Sequence, residues 1–123
     1  MKQFNVLGGE LDACCMAPMT GYYRDGHCNT SLEDTGSHTV CVKVSSEFLE
    51  YSIKVGNDLS TPRPEYQFPG LKDGDQWCLC AARWLQACEA EKAPPVVLSS
   101  TNQRALEIIP LELLMEYALD LTY

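Results

Sequence analysis

The sequence has no apolar run long enough to cross a bilayer, which excludes a membrane-spanning helix within it. Its first nine residues carry one lysine and no apolar core. No secretory signal is expected there, and a cytoplasmic location is. Basic residues are few and scattered: nine Lys and Arg stand against seventeen Asp and Glu, for a formal net charge of −8. Phosphate backbones and anionic membrane surfaces repel such a surface, so neither nucleic acid nor a membrane is expected as a partner. The acidity serves solubility. Gly8-Gly9 belongs to neither a Walker loop nor a dinucleotide fingerprint. No paired carboxylates recommend glycosidase chemistry, and there is no internal repeat or low-complexity tract.

What is present fits one domain. A chain of 123 residues can bury a core without staples. It nevertheless carries seven cysteines, an odd number that leaves one thiol over from any closed disulfide framework. In a reducing cytosol these residues are expected as thiols, metal ligands or reactive groups. Free cysteine also packs as a small buried hydrophobe.

Residues 4–8 read as a short strand entering a turn. Residues 9–37 keep neither a helical nor a strand period. An irregular stretch of that length needs something to hold it, and Cys14, Cys15, His27 and Cys28 lie within it. Residues 38–44 read as a strand, with Val40, Val42 and Val44 on one face and Thr39, Cys41 and Lys43 on the other. Ser45 or Ser46 can cap a following helix with a stripe of Phe48, Leu49, Ser52 and Ile53, and Gly56 stands where it stops. Residues 57–73 form a loop stiffened by Pro62 and Pro64. Asp75 is the expected N-cap of a helix presenting Trp77, Ala81, Trp84, Leu85 and Cys88 on one face. A strand across residues 77–80 is the alternative. Residues 96–98 read as a short apolar strand, and Thr101 as the cap of a helical turn. Pro110 opens a last helix with Leu111, Leu114, Met115, Ala118 and Leu121 on its apolar face. The expected fold is α+β: a single small domain of few short strands, about three to four helices and a long irregular N-terminal loop.

Several words of this sequence are distinctive: NVLGG, MTGYYRDG, HTVC, EFLEYS, GNDLSTPRPEY, FPGLKDGDQWCLCAARW and APPVVL. On these the chain resembles the bacterial domain of unknown function 2237 family over nearly its whole length. The resemblance implies that Cys14, Cys28, Cys41, Cys78 and Cys80 belong to a shared pattern. It implies that His27 stands where relatives often carry a cysteine beside Cys28, and that Cys15 and Cys88 are peculiar to this chain. No activity comes with it.

Three site chemistries follow. A zinc site would draw on Cys14, Cys28, His38 and Cys41, of which His38 and Cys41 have a usual ligand spacing. Cys78 and Cys80 are two apart and converge on one ion only if they lie on a strand. A reactive thiol would be Cys78 or Cys80, with His38 as base, oriented by Asp25 or Asp58. Cys78 in a first helical turn would also gain from the helix dipole. A polar ligand pocket would draw on Arg24 and Asp25 in one loop and Asn57, Asp58, Arg63 and Glu65 in another. Against these stand plainer roles. Asp58 and Thr61 can cap turns, Trp77 and Trp84 can be core, and both histidines can be structural. The functional expectation is a binding or structural module with cysteine-rich loops, its partner a small molecule or a protein. A thiol-dependent enzyme or redox protein is the alternative.

Overall fold

The β-branched residues after His38 form strand β1 (His38–Lys43). The computed structural model describes residues 2–120, and in it β1 is the central element. It pairs antiparallel with β2 (Gln76–Cys80), with Cys41 opposite Cys78 and Val42 opposite Trp77. Along its other edge β1 bonds the segment 95–102. Lys43 N–H donates to the Pro95 carbonyl, Val97 N–H to that of Cys41, and Asn102 N–H to that of Thr39. The strand expected at residues 96–98 is present only as isolated bridges of Val96 to Val42 and to Ala118. Pro94 and Pro95 supply no N–H at its start, which limits any longer ladder.

Both faces of β1 are covered, so its side-chain alternation divides two different interiors. Val40, Val42 and Val44 join Phe48, Trp84, Leu98 and Leu114 in the apolar core. Cys41 points the other way, into a separate buried cluster with Cys14, Cys28 and Cys78. The irregular residues 9–37 supply the cover on that second face. Two of the four residues expected to hold this stretch do so: Cys14 is bonded to Cys41 and Cys28 to Cys78. The strand expected at residues 4–8 is reduced to bridges of Phe4 to Glu10 and Asn5 to Asn102.

Helix α1 (Ser46–Lys54) follows the expected grammar at its ends; of its expected stripe Phe48, Leu49 and Ser52 are buried, whereas Ile53 is exposed. The Ser45 hydroxyl accepts from Phe48 N–H at 3.1 Å, and Gly56 just past the end takes φ 87°. The helix expected from Asp75 is corrected. Residues 76–80 are strand, helix α2 (Ala81–Glu89) begins only after Cys80, and Asp75 instead accepts from Lys72 N–H. Trp77, Ala81 and Trp84 do carry a helical spacing. Pairing with β1, however, buries Trp77 and Leu79 on one face and Cys78 on the other, which a helix could not do. The two tryptophans therefore sit on different elements of one core.

Near the C-terminus Asn102, not Thr101, caps the 3₁₀ turn Gln103–Glu107. Helix α3 (Leu111–Glu116) starts after Pro110 and buries Leu114. Leu121, expected on its apolar face, lies outside the described residues. A two-stranded sheet with three α-helices makes the fold α+β.

Candidate functional site

Among the described residues strand β2 pairs with β1 alone, the Thr20 hydroxyl accepts from Cys78 N–H, and all four residues 77–80 line a cleft of about 310 Å³. Its walls come from two loops far apart in sequence. One gives Gly21 and Arg24; the other gives Asn57, Asp58, Leu59, Arg63, Tyr66 and Phe68; His38 closes one end. Gly21 has φ 100°, and a Cβ there would run into the His27 carbonyl, so the first loop can take this path only with glycine. Phe68 packs edge-on against Trp77 at 5.1 Å between centroids, and the Arg24 guanidinium lies 5.2 Å over the Trp77 ring. Arg24 also donates to the Gly21 carbonyl at 2.9 Å.

Of the expected ligand-binding residues, Arg24, Asn57, Asp58 and Arg63 meet in this cleft. Asp58 spends its carboxylate locally, accepting from Ser60 N–H, Thr61 N–H and the Thr61 hydroxyl. The Thr61 and Ser60 bonds and the nearby Arg63 charge hold it below the usual carboxylate range. Asp25 and Glu65 are not among the lining residues. Asp25 ties its own loop together through His27 N–H and Asn29, and Glu65 is exposed in the turn Pro64–Tyr66.

His38 does gain a carboxylate, but from neither Asp25 nor Asp58. Its Nδ1 lies 2.6 Å from Oδ1 of Asp34, whose side chain is fully buried. Asp34 also accepts from His38 N–H and from the Thr30 hydroxyl. Burial works to raise the Asp34 pKa, but the bonds from His38 and Thr30 outweigh it and carry the carboxyl below its ordinary 3.8. The signal available in the sequence was the four-residue spacing Asp34 to His38, which a turn brings together.

A lowered folded-state pKa means that Asp34 contributes its stability in full above the ordinary value. That contribution is lost as pH falls through the lower folded value. Asp120 adds in the same direction: burial raises it, but the N–H groups of Ser99 and Leu98 hold it down. The thermal midpoint should therefore fall below about pH 4, and Asp34→Asn should flatten part of that fall. Calorimetry across this range checks it; an unchanged slope in the variant would contradict the buried ion.

The cysteines divide into two groups. Cys14, Cys28, Cys41 and Cys78 are all buried and joined in two disulfides, whereas the cytosolic reading expected thiols or ligands. Their position explains the difference: loop and sheet cysteines face each other across one small interior. In this state Cys78 offers no free thiol. Cys15, Cys80 and Cys88 are free and half-buried, and of these Cys80 lines the cleft. Cys80 stands opposite His38 in the strand register. The proposed zinc set is brought together only in part: Cys14, Cys28 and Cys41 converge with Cys78, while His38 points to Asp34.

The family profile described as an uncharacterized protein conserved in bacteria (DUF2237) matches residues 4–118. The chain belongs to that family. No curated protein matches it closely enough to count as a relative. The DUF2237 match takes in both disulfides, the His38–Asp34 pair and every residue of the cleft. The distinctive words of the sequence now have places in the DUF2237 domain. Residues 19–26 and 56–66 are the two cleft loops, and residues 76–80 are its floor. Among the described residues no helix is long and apolar enough to cross a membrane.

Proposed function

We propose that this domain is a binding module whose cleft takes a small anion with a flat apolar part, such as an aromatic carboxylate. One observation carries the reading. In a chain of net charge −8, Arg24 and Arg63 line one cleft from its two loops, and among the described residues neither has a carboxylate within ion-pair distance. An arginine without a carboxylate partner beside aromatic side chains suits a planar anion, through charge-assisted hydrogen bonds and stacking. Trp77 and Phe68 supply the apolar floor, and Asn57 a neutral donor and acceptor. The two disulfides flank the first loop and the Asp58 turn braces the second, which lowers the cost of ordering them on binding.

The probes are benzoate and inorganic phosphate, titrated by calorimetry and by tryptophan fluorescence. Benzoate should bind, and Arg63→Ala should weaken it about tenfold or more, the worth of one hydrogen bond to a charged group. Phosphate should bind more weakly, because it leaves the aromatic floor uncovered. If neither probe binds, or if Arg24→Ala and Arg63→Ala bind as the parent does, the reading fails.

A second reading, thiol chemistry at Cys80, is favoured by the free thiol that shares the cleft with a His38 already oriented by Asp34. It is separated by alkylation: selective labelling of Cys80 that slows in His38→Ala supports it, and equal slow labelling of Cys15, Cys80 and Cys88 removes it. Cytoplasmic residence goes with the thiol form of the buried cysteines, and an oxidising compartment with the disulfide form.

A further inference from the structure

The four buried cysteines hold more than two cross-links. The Sγ atoms of Cys14, Cys28 and Cys78 all lie within 4.8 Å of one another, and Cys41 is bonded to Cys14. A tetrahedral zinc–thiolate centre has Zn–S of about 2.3 Å, and hence sulfurs about 3.8 Å apart. For Cys14, Cys28 and Cys78 this leaves about 1 Å or less to close by side-chain rotation once the S–S bonds are open, and Cys41, freed from Cys14, must turn its Sγ toward the same point. We propose that, when reduced, Cys14, Cys28, Cys41 and Cys78 form a four-thiolate site for one zinc ion, so that the same residues pin the N-terminal loop in either redox state. The inference is independent of the anion reading of the cleft.

The backbone supports such a centre. Cys41 and Cys78 are fixed side by side by the sheet register, so half of the ligand set stands on rigid strands. Cys14 and Cys28 come from the loop that must be held, the usual work of a structural metal. Gln76 Nε2 lies 3.8 Å from Cys41 Sγ and donates to the Cys14 carbonyl at 2.5 Å, placing a polar N–H beside sulfurs that would carry charge. His38, engaged by Asp34, is not needed.

The chemistry balances. Each disulfide takes two electrons and two protons from two small-molecule thiols, giving two cysteine thiols and one external disulfide. The four thiols then bind Zn²⁺ and release up to four protons. Oxidation by peroxide runs the other way: two H₂O₂ and four protons accept the four electrons, giving two disulfides, four waters and free Zn²⁺.

The test uses the full chain as Cys15→Ser/Cys80→Ser/Cys88→Ser, in which only the four buried cysteines remain. It is reduced anaerobically with a phosphine, then titrated with Co²⁺ and back-titrated with Zn²⁺. Expected is one Co²⁺ per chain with a thiolate-to-cobalt charge-transfer band, displaced by one equivalent of Zn²⁺ and lost on adding peroxide. Bound Zn²⁺ should also protect all four thiols from alkylation, read by mass spectrometry. Adding Cys28→Ser should abolish the four-thiolate band. The proposal is overturned if the reduced chain takes up no Co²⁺, if it stays unfolded with equimolar Zn²⁺, or if Cys28→Ser leaves the spectrum unchanged.

Discussion

Removing the Cys28–Cys78 disulfide, as Cys28→Ser/Cys78→Ser, is expected to lower the free energy of unfolding by about 4 kcal/mol. The bond closes a separation of 50 residues, and Cys14–Cys41 closes one of 27. Chain entropy assigns the shorter loop about 3.5 kcal/mol. Together the two are comparable with the whole stability of a small domain, about 5–15 kcal/mol. The size of the effect follows from what the loop lacks. Residues 9–37 contain no regular helix or strand and add only Cys14 and Cys28 to the clusters of buried apolar side chains. Their other anchors are single hydrogen bonds, such as Ser100 Oγ to the Ala13 carbonyl and Gln3 Nε2 to that of Thr30. Denaturant unfolding of the paired serine variants, without metal, reads the cost. A loss below about 1 kcal/mol would mean that these hydrogen bonds, not the cross-links, hold the loop.

The second large effect belongs to the other face of the sheet. Trp84 is wholly buried, donates from Nε1 to the Pro94 carbonyl at 3.0 Å, and meets Tyr117 edge-on at 5.3 Å. It therefore ties α2 to the segment that bonds β1 and to the residue following α3. Trp84→Ala should cost about 3–5 kcal/mol, from lost burial and the cavity left behind. Trp84→Phe keeps much of the volume but strands the Pro94 carbonyl, and should cost about 1–3 kcal/mol. The contrast between the two variants, by chemical denaturation with secondary structure followed by circular dichroism, separates packing from the hydrogen bond. Equal costs for both would assign nearly the whole effect to that bond.

These two faces also show where sequence reasoning succeeds and where it stops. Ser45, the apolar stripe of α1 and Gly56 announce a helix through contacts made within a few residues, and the helix is there. The same holds for β1 and for the turn held by Asp58. Residues 76–80 are different. Their spacing fits a helix, and only the neighbouring strand, with partners more than 30 positions away, makes them β2. The cleft was legible in outline, since Arg24, Asn57, Asp58 and Arg63 were singled out as polar residues on stiff loops. Asp34 was missed because its role depends on a turn that places it under His38.

The sequence by itself determined the class of the fold, the family, the helices closed by local caps and the two loops that carry the polar residues. Each rests on interactions short in sequence or on long shared words. Only the tertiary structure decided which cysteines meet, which carboxylate holds His38, and that residues 77–80 line a cleft between two distant loops. Those depend on strand register and on the path of an irregular loop. The cysteine pairings are set by contacts 27 and 50 positions apart, for which local propensity carries no information, while the His38–Asp34 pair spans four residues and rests on the turn between them.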